Sequence, residues 1–252
     1  EGQQEADFVA DHMREHGVDV RLSEELERIE VDAEGRVSGI RTSAGDDLPC
    51  QMLGIAVGVH PAIERLAAFQ DAPALGRGIV VDETLRTTQP DVFACGDCAE
   101  IHLPGWQEGD RPLHETIWYS AKRQGRLVAH NLFGDGEAYR PPIFFNSSKF
   151  FEIEYTTVGE VMAAPDDSPT IYLRVPGHPI SVRVVHDGER VLGFNMLGAR
   201  WNHEVLDRWV EQRRTPDYVM SHLPHAQYDV EFGRLNLAAM DRQDVPLNHR
   251  VR

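Results

Sequence analysis

The first third of the chain mixes one helical pattern with short apolar runs. Apolar residues recur at helical spacing over residues 4–16, and Gly17 stands where a C-terminal cap belongs. The turn-forming stretch 32–35 between two β-prone runs predicts a hairpin, and the nearly continuous apolar run after it is typical of a buried strand. The predicted strands of this region are residues 18–22, 28–31, 36–42 and 52–57.

The middle of the chain carries two strand patterns, a long loop and the clearest helix. Residues 78–81 and 91–94 predict strands, and the prolines and glycines of residues 99–113 predict a long loop, which in a compact domain is usually functional or mobile. Residues 114–132 predict a helix that ends before Gly134. Its expected inward face carries four apolar residues at helical spacing, namely Ile117, Ala121, Val128 and Leu132.

Beyond Pro141-Pro142 the pattern becomes antiparallel strands and then helices. Asp187-Gly188 predicts a type I′ turn, Asn202 and Thr215 are expected helix N-caps, and the last dozen residues are expected to be a loose tail. The predicted strands are residues 150–158, 170–175, 181–186 and 190–197.

Composition narrows the classes of function. The chain has 252 residues, 41% of them apolar, and a net charge of −16, which argues against nucleic acid and anionic membranes as partners. No apolar run approaches the ~18 residues that a membrane helix requires. The cysteines are Cys50, Cys95 and Cys98, too few for a disulfide framework, so a cytoplasmic setting is expected.

One stretch carries candidate chemistry. Residues 78–82 read Gly-Ile-Val-Val-Asp, and residues 87–97 read Thr-Thr-Gln-Pro-Asp-Val-Phe-Ala-Cys-Gly-Asp. The pattern resembles the second flavin motif of the pyridine nucleotide–disulfide oxidoreductase family. The resemblance implies that Asp97 accepts a hydrogen bond from a ribityl hydroxyl of FAD and that Cys95 and Gly96 line the cofactor. A glycine before that carboxylate lets the backbone approach the ligand closely.

The helix after this motif extends the resemblance. Its N-terminus, at Thr116 and Ile117, is expected to direct backbone N–H groups and the positive end of the helix dipole at the flavin. Residues 124–129 read Gln-Gly-Arg-Leu-Val-Ala, which is similar to the Q-[AG]-x-x-x-A pattern of the family.

Two further segments resemble the family. Residues 53–61 are similar to the crossover from the NAD domain to the FAD domain, which implies that Gly58 borders NAD(P)H, although Ala62 replaces the usual asparagine. Residues 192–204 are similar to the start of the interface domain. The histidine–glutamate acid–base pair of disulfide reductases is out of register here, so no catalytic residue is assigned.

The resemblance implies an α/β chain with partial FAD- and NAD(P)-binding domains followed by an α+β interface domain. Since no G-x-G-x-x-G loop occurs, neither nucleotide site is complete, and we expect a homodimer of a longer flavoprotein oxidoreductase whose N-terminal half lies elsewhere. Hydride would pass from NAD(P)H to FAD and on to an unknown acceptor. The expected domains are 1–62 for NAD(P), 63–140 for FAD, 141–240 for the interface and 241–252 for the tail.

Three other interpretations stay open at this point. Cys95 and Cys98 form a C-x-x-C that supports thiol exchange in other proteins. The same two cysteines with His102 and His114 form a candidate zinc set. The chain as it stands is also consistent with a split subunit or a dimerisation module that binds no cofactor.

Overall fold

A computed structural model describes residues 3–134, 136–161, 168–228, 236 and 239–246. Chain contacts divide it into two compact units. The first unit comprises Glu1–Arg28, Arg41–Asp46 and Ile143–Arg252, and the second comprises Ile29–Ile40 and Asp47–Pro142. Within the described part of the chain, no helix has both the length and the apolarity needed to cross a bilayer.

The first unit is built around a six-stranded antiparallel sheet. In chain order its strands are β6 (Phe145–Phe150), β7 (Ile153–Gly159), β8 (Pro169–Arg174), β9 (Ser181–His186), β10 (Val191–Leu197) and β11 (Asp241–Pro246). The strand order is β11-β8-β9-β10-β7-β6. The central strands are buried at consecutive positions, as expected of strands covered on both faces, and Val182, Val184 and Phe194 are fully buried.

Helices α3 (His203–Glu211) and α4 (Pro216–His222) contribute Leu206, Trp209 and Val219 to that core. The expected caps are confirmed, since the Asn202 side chain accepts from the Glu204 N–H and the Thr215 side chain accepts from the Tyr218 N–H. Each cap satisfies one backbone donor that the first helical turn leaves without a partner.

Helix α1 (Gln3–Glu15) belongs to the same unit. Phe8 packs with Ile153 and Leu197 of the sheet, and the Glu5 carboxylate lies 3.0 Å from Nε of the buried Arg183. The predicted glycine cap is confirmed, because Gly17 has a φ of +80°.

The second unit centres on two parallel strands, β4 (Ile79–Val81) and β5 (Ala99–Ile101), and on helix α2 (Trp118–Asn131). Val81, Leu85, Ile101, Leu127 and Tyr139 form its buried core.

A separate three-stranded sheet has the order β1 (Leu26–Val31), β2 (Val37–Thr42) and β3 (Asp47–Pro49), and its first two strands confirm the predicted hairpin.

Several predicted strands are wrong. Residues 18–22 and 52–57 form no strand, and residues 91–94 form only a single bridge, Arg86 with Phe93. In the second of these segments, Met52 and Val57 are 86% and 90% exposed. An apolar run becomes a strand only where a neighbouring strand accepts its hydrogen bonds, and no described strand pairs with these segments.

Three smaller predictions need correction. Helix α2 begins at Trp118, and its buried residues are Ser120, Gln124, Leu127 and Asn131 in place of the expected apolar face. At the β9–β10 turn only Gly188 has a positive φ, whereas a type I′ turn requires two such residues. Residues 241–246 of the expected tail form edge strand β11 against β8, and residues 247–252 lie outside the described part.

Candidate functional site

The turn at Cys95, Gly96 and Asp97 is shaped by a glycine. A short 3-10 helix, Gly96–Cys98, leads directly into β5. Gly96 is buried and has a φ of +78°, a conformation that side chains disfavour. A Cβ atom at Gly96 would lie 3.5 Å from the Ala121 Cβ, which is an ordinary contact, so the backbone angle sets the requirement for glycine.

Helix α2 fixes this turn through a buried amide. The Gly96 N–H donates to Oε1 of Gln124 over 2.7 Å, and the Gln124 side chain is fully buried. A buried backbone donor without a partner is strongly disfavoured. The hydrogen bond therefore determines where the backbone of the turn lies relative to the helix.

The same amide joins a wider polar network. Nε2 of Gln124 donates to Oε2 of Glu115 over 3.3 Å, and the Tyr139 hydroxyl donates to the same oxygen over 2.6 Å. Burial, together with the hydrogen bond to Glu115, raises the pKa of Tyr139 to about 12. Tyr139 therefore stays protonated at neutral pH and remains a donor to Glu115.

Asp97 presents its side chain to solvent while its backbone is held. The Asp97 carbonyl accepts a hydrogen bond from Nε2 of His114 over 2.7 Å. Since a carbonyl can only accept, Nε2 of His114 carries the proton. This bond connects the residues before α2 to the turn, and no side chain caps the helix N-terminus at Ile117.

The remaining predicted site residues differ in their surroundings. Thr116 is exposed in the segment that His114 anchors. Gly58 has a φ of +98°, which suits glycine, and lies exposed in the irregular segment after residue 50. The structure thus brings together Cys95, Gly96, Asp97 and the start of α2, and among the hydrogen bonds of the described residues none joins these to Gly58.

The cysteine alternatives gain no support from the geometry. Sγ of Cys98 donates to the Cys95 carbonyl over 3.4 Å, and burial raises the pKa of the Cys95 thiol, which opposes thiolate formation. Among the described residues, no metal-ligand cluster contains Cys95, Cys98, His102 or His114. His102 instead pairs with Glu100 at 2.9 Å.

Sequence reasoning missed the role of Glu100. Its buried carboxylate accepts hydrogen bonds from the N–H groups of Arg77 and Gly78. Burial raises the pKa of Glu100, but the bonds from His102 and these backbone groups outweigh burial and lower it. A side chain at Gly78 would collide with the Cys98 carbonyl, so this carboxylate and a glycine together align β4 with β5.

Comparison with known families places these residues in context. Residues 2–125 match the family described as pyridine nucleotide-disulphide oxidoreductase. The matched part includes the turn at Gly96 and the Gln124 that holds it.

Curated relatives and solved structures agree with this match. The ferredoxin reductase subunit of 5,5'-dehydrodivanillate O-demethylase from Sphingobium sp. is 31% identical over 84% of this chain and 46% of the relative. Rhodocoxin reductase from Rhodococcus erythropolis is 38% identical over 54% of this chain and 30% of the relative. The chain thus spans less than half the length of these two relatives.

Among solved structures, the covalent putidaredoxin reductase–putidaredoxin complex aligns with a TM-score of 0.64 at 24% identity, over 84% of this chain and 48% of the other. An NAD-dependent persulfide reductase from A. fulgidus gives a TM-score of 0.69 at 24% identity, over 88% and 43%. These structures show that the fold is shared.

Proposed function

The chain belongs to the pyridine nucleotide-disulphide oxidoreductase family, and on that premise we propose that it supplies the ribityl-facing part of an FAD site in an NAD(P)H oxidoreductase. The observation that carries the proposal is the Gly96–Asp97 turn, held to α2 by the hydrogen bond from the Gly96 N–H to Gln124. The sequence contains no G-x-G-x-x-G loop to hold a pyrophosphate, so the proposal concerns only the ribityl-facing part of the site.

The residues present fit a flavin in three ways. The Asp97 carboxylate is exposed and can accept from a ribityl hydroxyl. Gly96 brings backbone close to that position without a side chain. The N-terminus of α2 at Ile117 has no side-chain cap, so its backbone donors suit a carbonyl oxygen that gains negative charge.

When bound, FAD would take hydride from NAD(P)H and pass the electrons to an acceptor. The contribution of this chain is to position and to stabilise. Asp97 orients the ribityl chain, and the positive end of the α2 dipole favours negative charge near Ile117. The network of Gln124, Glu115 and Tyr139 keeps the turn and the helix in register.

For the acceptor, we propose an electron-transfer protein of the ferredoxin type. Three relatives are named for a ferredoxin partner: the ferredoxin reductase subunit of 5,5'-dehydrodivanillate O-demethylase, a ferredoxin–NAD(P)+ reductase from Sphingomonas sp. and the ferredoxin–NAD+ reductase component of a p-cumate 2,3-dioxygenase system. The raised pKa of Cys95 agrees with a reaction that needs no thiolate at this turn.

The proposal extends to the oligomeric state and the cellular location of the protein. The antiparallel sheet and helices of residues 143–228 have the elements expected of an interface domain, so we propose a homodimer. Cys50, Cys95 and Cys98 are free thiols, which is consistent with the reducing cytoplasm. Gly58 remains our candidate for a residue beside NAD(P)H.

The first experiment measures flavin binding by this chain. The apo protein is titrated with FAD and, separately, with riboflavin, and binding is followed by quenching of flavin fluorescence. We expect binding that Asp97→Asn weakens about 10-fold, the size of one lost hydrogen bond to a charged group. Asp71→Asn is the matched control, because Asp71 is also exposed. Equal FAD affinity of Asp97→Asn and wild type would refute the assignment of Asp97.

A second experiment identifies the acceptor with the FAD-loaded protein. NADH or NADPH is supplied with a [2Fe–2S] ferredoxin, a disulfide or oxygen alone, and consumption of the nucleotide is followed. The proposal requires the ferredoxin to accelerate nucleotide oxidation well beyond oxygen alone. A disulfide that does so instead would reject the ferredoxin acceptor while leaving the flavin assignment intact.

A further inference from the structure

A cluster of three side chains lies in the first unit, whereas the turn at Gly96 and Asp97 belongs to the second unit. His12 lies in the last turn of α1 and His16 directly follows the helix, so the spacing of four residues places both rings on one side. Their centroids are 4.5 Å apart. Glu152 belongs to the two-residue turn between β6 and β7, where Phe150 pairs with Ile153.

Both imidazoles converge on one carboxylate oxygen. Oε2 of Glu152 lies 3.2 Å from Nε2 of His12 and 2.9 Å from Nε2 of His16. Donor atoms of a tetrahedral zinc site, each ~2.0–2.1 Å from the metal, lie about 3.3 Å from one another. The two nitrogen–oxygen distances are therefore close to those of a filled site.

The tautomer of His16 also favours a metal ligand. Nδ1 of His16 lies 2.9 Å from the His12 carbonyl, which can only accept, so Nδ1 carries the proton. In the neutral ring Nε2 then presents its lone pair toward the Glu152 carboxylate, as a metal ligand requires. Imidazole ligands of metals commonly donate their other N–H to a backbone carbonyl, as His16 does here.

Packing holds the turn in place beside the histidines. The Phe151 ring stacks on the His16 ring with centroids 4.1 Å apart and planes inclined by 14°. Phe151 has a φ of +54°, a conformation uncommon for a bulky residue.

We propose that His12, His16 and Glu152 form a zinc-binding site that fastens α1 to the β6–β7 turn. Two neutral imidazoles and one carboxylate are a ligand set that Zn²⁺ accepts, and three protein ligands leave a fourth position for water. His12 is buried, whereas His16 and Glu152 are exposed, so an ion can enter from solvent. The site is independent of the flavin assignment.

The test is Zn²⁺ binding to the chelator-treated chain, measured against a chromogenic competitor. We expect one Zn²⁺ per chain. His12→Gln, His16→Gln and Glu152→Gln should each weaken binding at least ~10-fold, since loss of a ligand should cost no less than loss of an outer-shell partner. His178→Gln, which removes an exposed histidine of the same unit outside the cluster, should leave the affinity unchanged.

Two further measurements keep the test decisive. With Co²⁺ in place of Zn²⁺, the visible absorption spectrum should show the bands of a low-coordinate ion and no thiolate charge-transfer band. A thiolate charge-transfer band would show that the metal binds at a cysteine instead. Zn²⁺ should slow amide exchange in α1 of the wild type but not in Glu152→Gln, whose exposed turn position spares the core. The proposal would be overturned if the wild type bound no stoichiometric Zn²⁺, or if all three ligand variants bound Zn²⁺ as tightly as the wild type.

Discussion

Replacement of Gln124 by methionine tests how the turn at Gly96 and Asp97 is held. Methionine has a similar volume and suits a helix interior. It removes the acceptor of the Gly96 N–H and the donor to Glu115, whereas Glu115 retains the hydrogen bond from Tyr139. The Gly96 N–H is then the main group left without a partner.

The expected cost follows from the burial of both groups. Gly96 is buried and Gln124 is fully buried, so water cannot readily replace the lost acceptor. Leaving one buried donor unsatisfied costs about 1–3 kcal/mol. A loss of about 2 kcal/mol corresponds to roughly 30-fold faster exchange of amides that open with the turn.

Amide hydrogen exchange resolves this effect residue by residue, which suits a chain of two units. We expect faster exchange at Gly96 and along α2, and unchanged exchange in β9 and β10 of the other unit. Arg123→Met is the matched control, since Arg123 lies on the exposed side of the same helix. If Gln124→Met leaves the Gly96 amide as protected as in wild type, the hydrogen bond does not hold the turn.

Two further predictions concern a glycine and a tyrosine. Gly198 has a φ of +80°, and a Cβ atom there would collide with the Pro179 carbonyl. Gly198→Ala should therefore lower the melting temperature far more than Gly188→Ala, because Gly188 has a φ of +99° without a clash. Equal shifts in melting temperature would contradict this. Because burial raises the pKa of Tyr139 to about 12, its contribution to stability should be full below about pH 10 and be lost as pH rises toward 12. Urea unfolding at several pH values should show this loss in wild type but not in Tyr139→Phe.

The elements best predicted from sequence are those determined within a few residues. The predicted strand 181–186 coincides with β9, and the caps at Gly17, Asn202 and Thr215 are all present. A cap depends on one side chain or one φ angle next to the helix end, and both are properties of the local sequence.

The strand predictions that failed depended on distant partners. Residues 52–57 have the apolar composition of a buried strand, yet Ile55 is 64% exposed. Conversely, the polar residues 241–246 were expected to be loose and form β11 because β8 offers an open edge. Pairing supplies the hydrogen bonds of a strand, so composition alone cannot identify which segment finds a partner.

The buried face of α2 shows the same limit at the candidate site. Apolar spacing predicted Leu132 on the inward face, but Leu132 is 60% exposed while Gln124 and Asn131 are fully buried. Asn131 donates to the carbonyl of Thr84, 47 residues away, and Gln124 accepts from Gly96, 28 residues away. A polar residue is buried where it makes a hydrogen bond to a distant backbone group, and hydrophobic periodicity carries no information about where such a group lies.

The sequence motif and the buried polar network therefore concern the same feature, the turn at Gly96 and Asp97. A glycine at a φ of +78° gives the turn its shape, but it does not determine where the turn lies against the sheet and helix. Gln124 provides that position through the Gly96 N–H, and Glu115 with Tyr139 keeps the glutamine amide oriented so that its oxygen faces the glycine. It follows that a cofactor bound at Asp97 would depend on residues 18 to 42 positions further along the chain, and that variants in this network should change flavin affinity without touching the flavin.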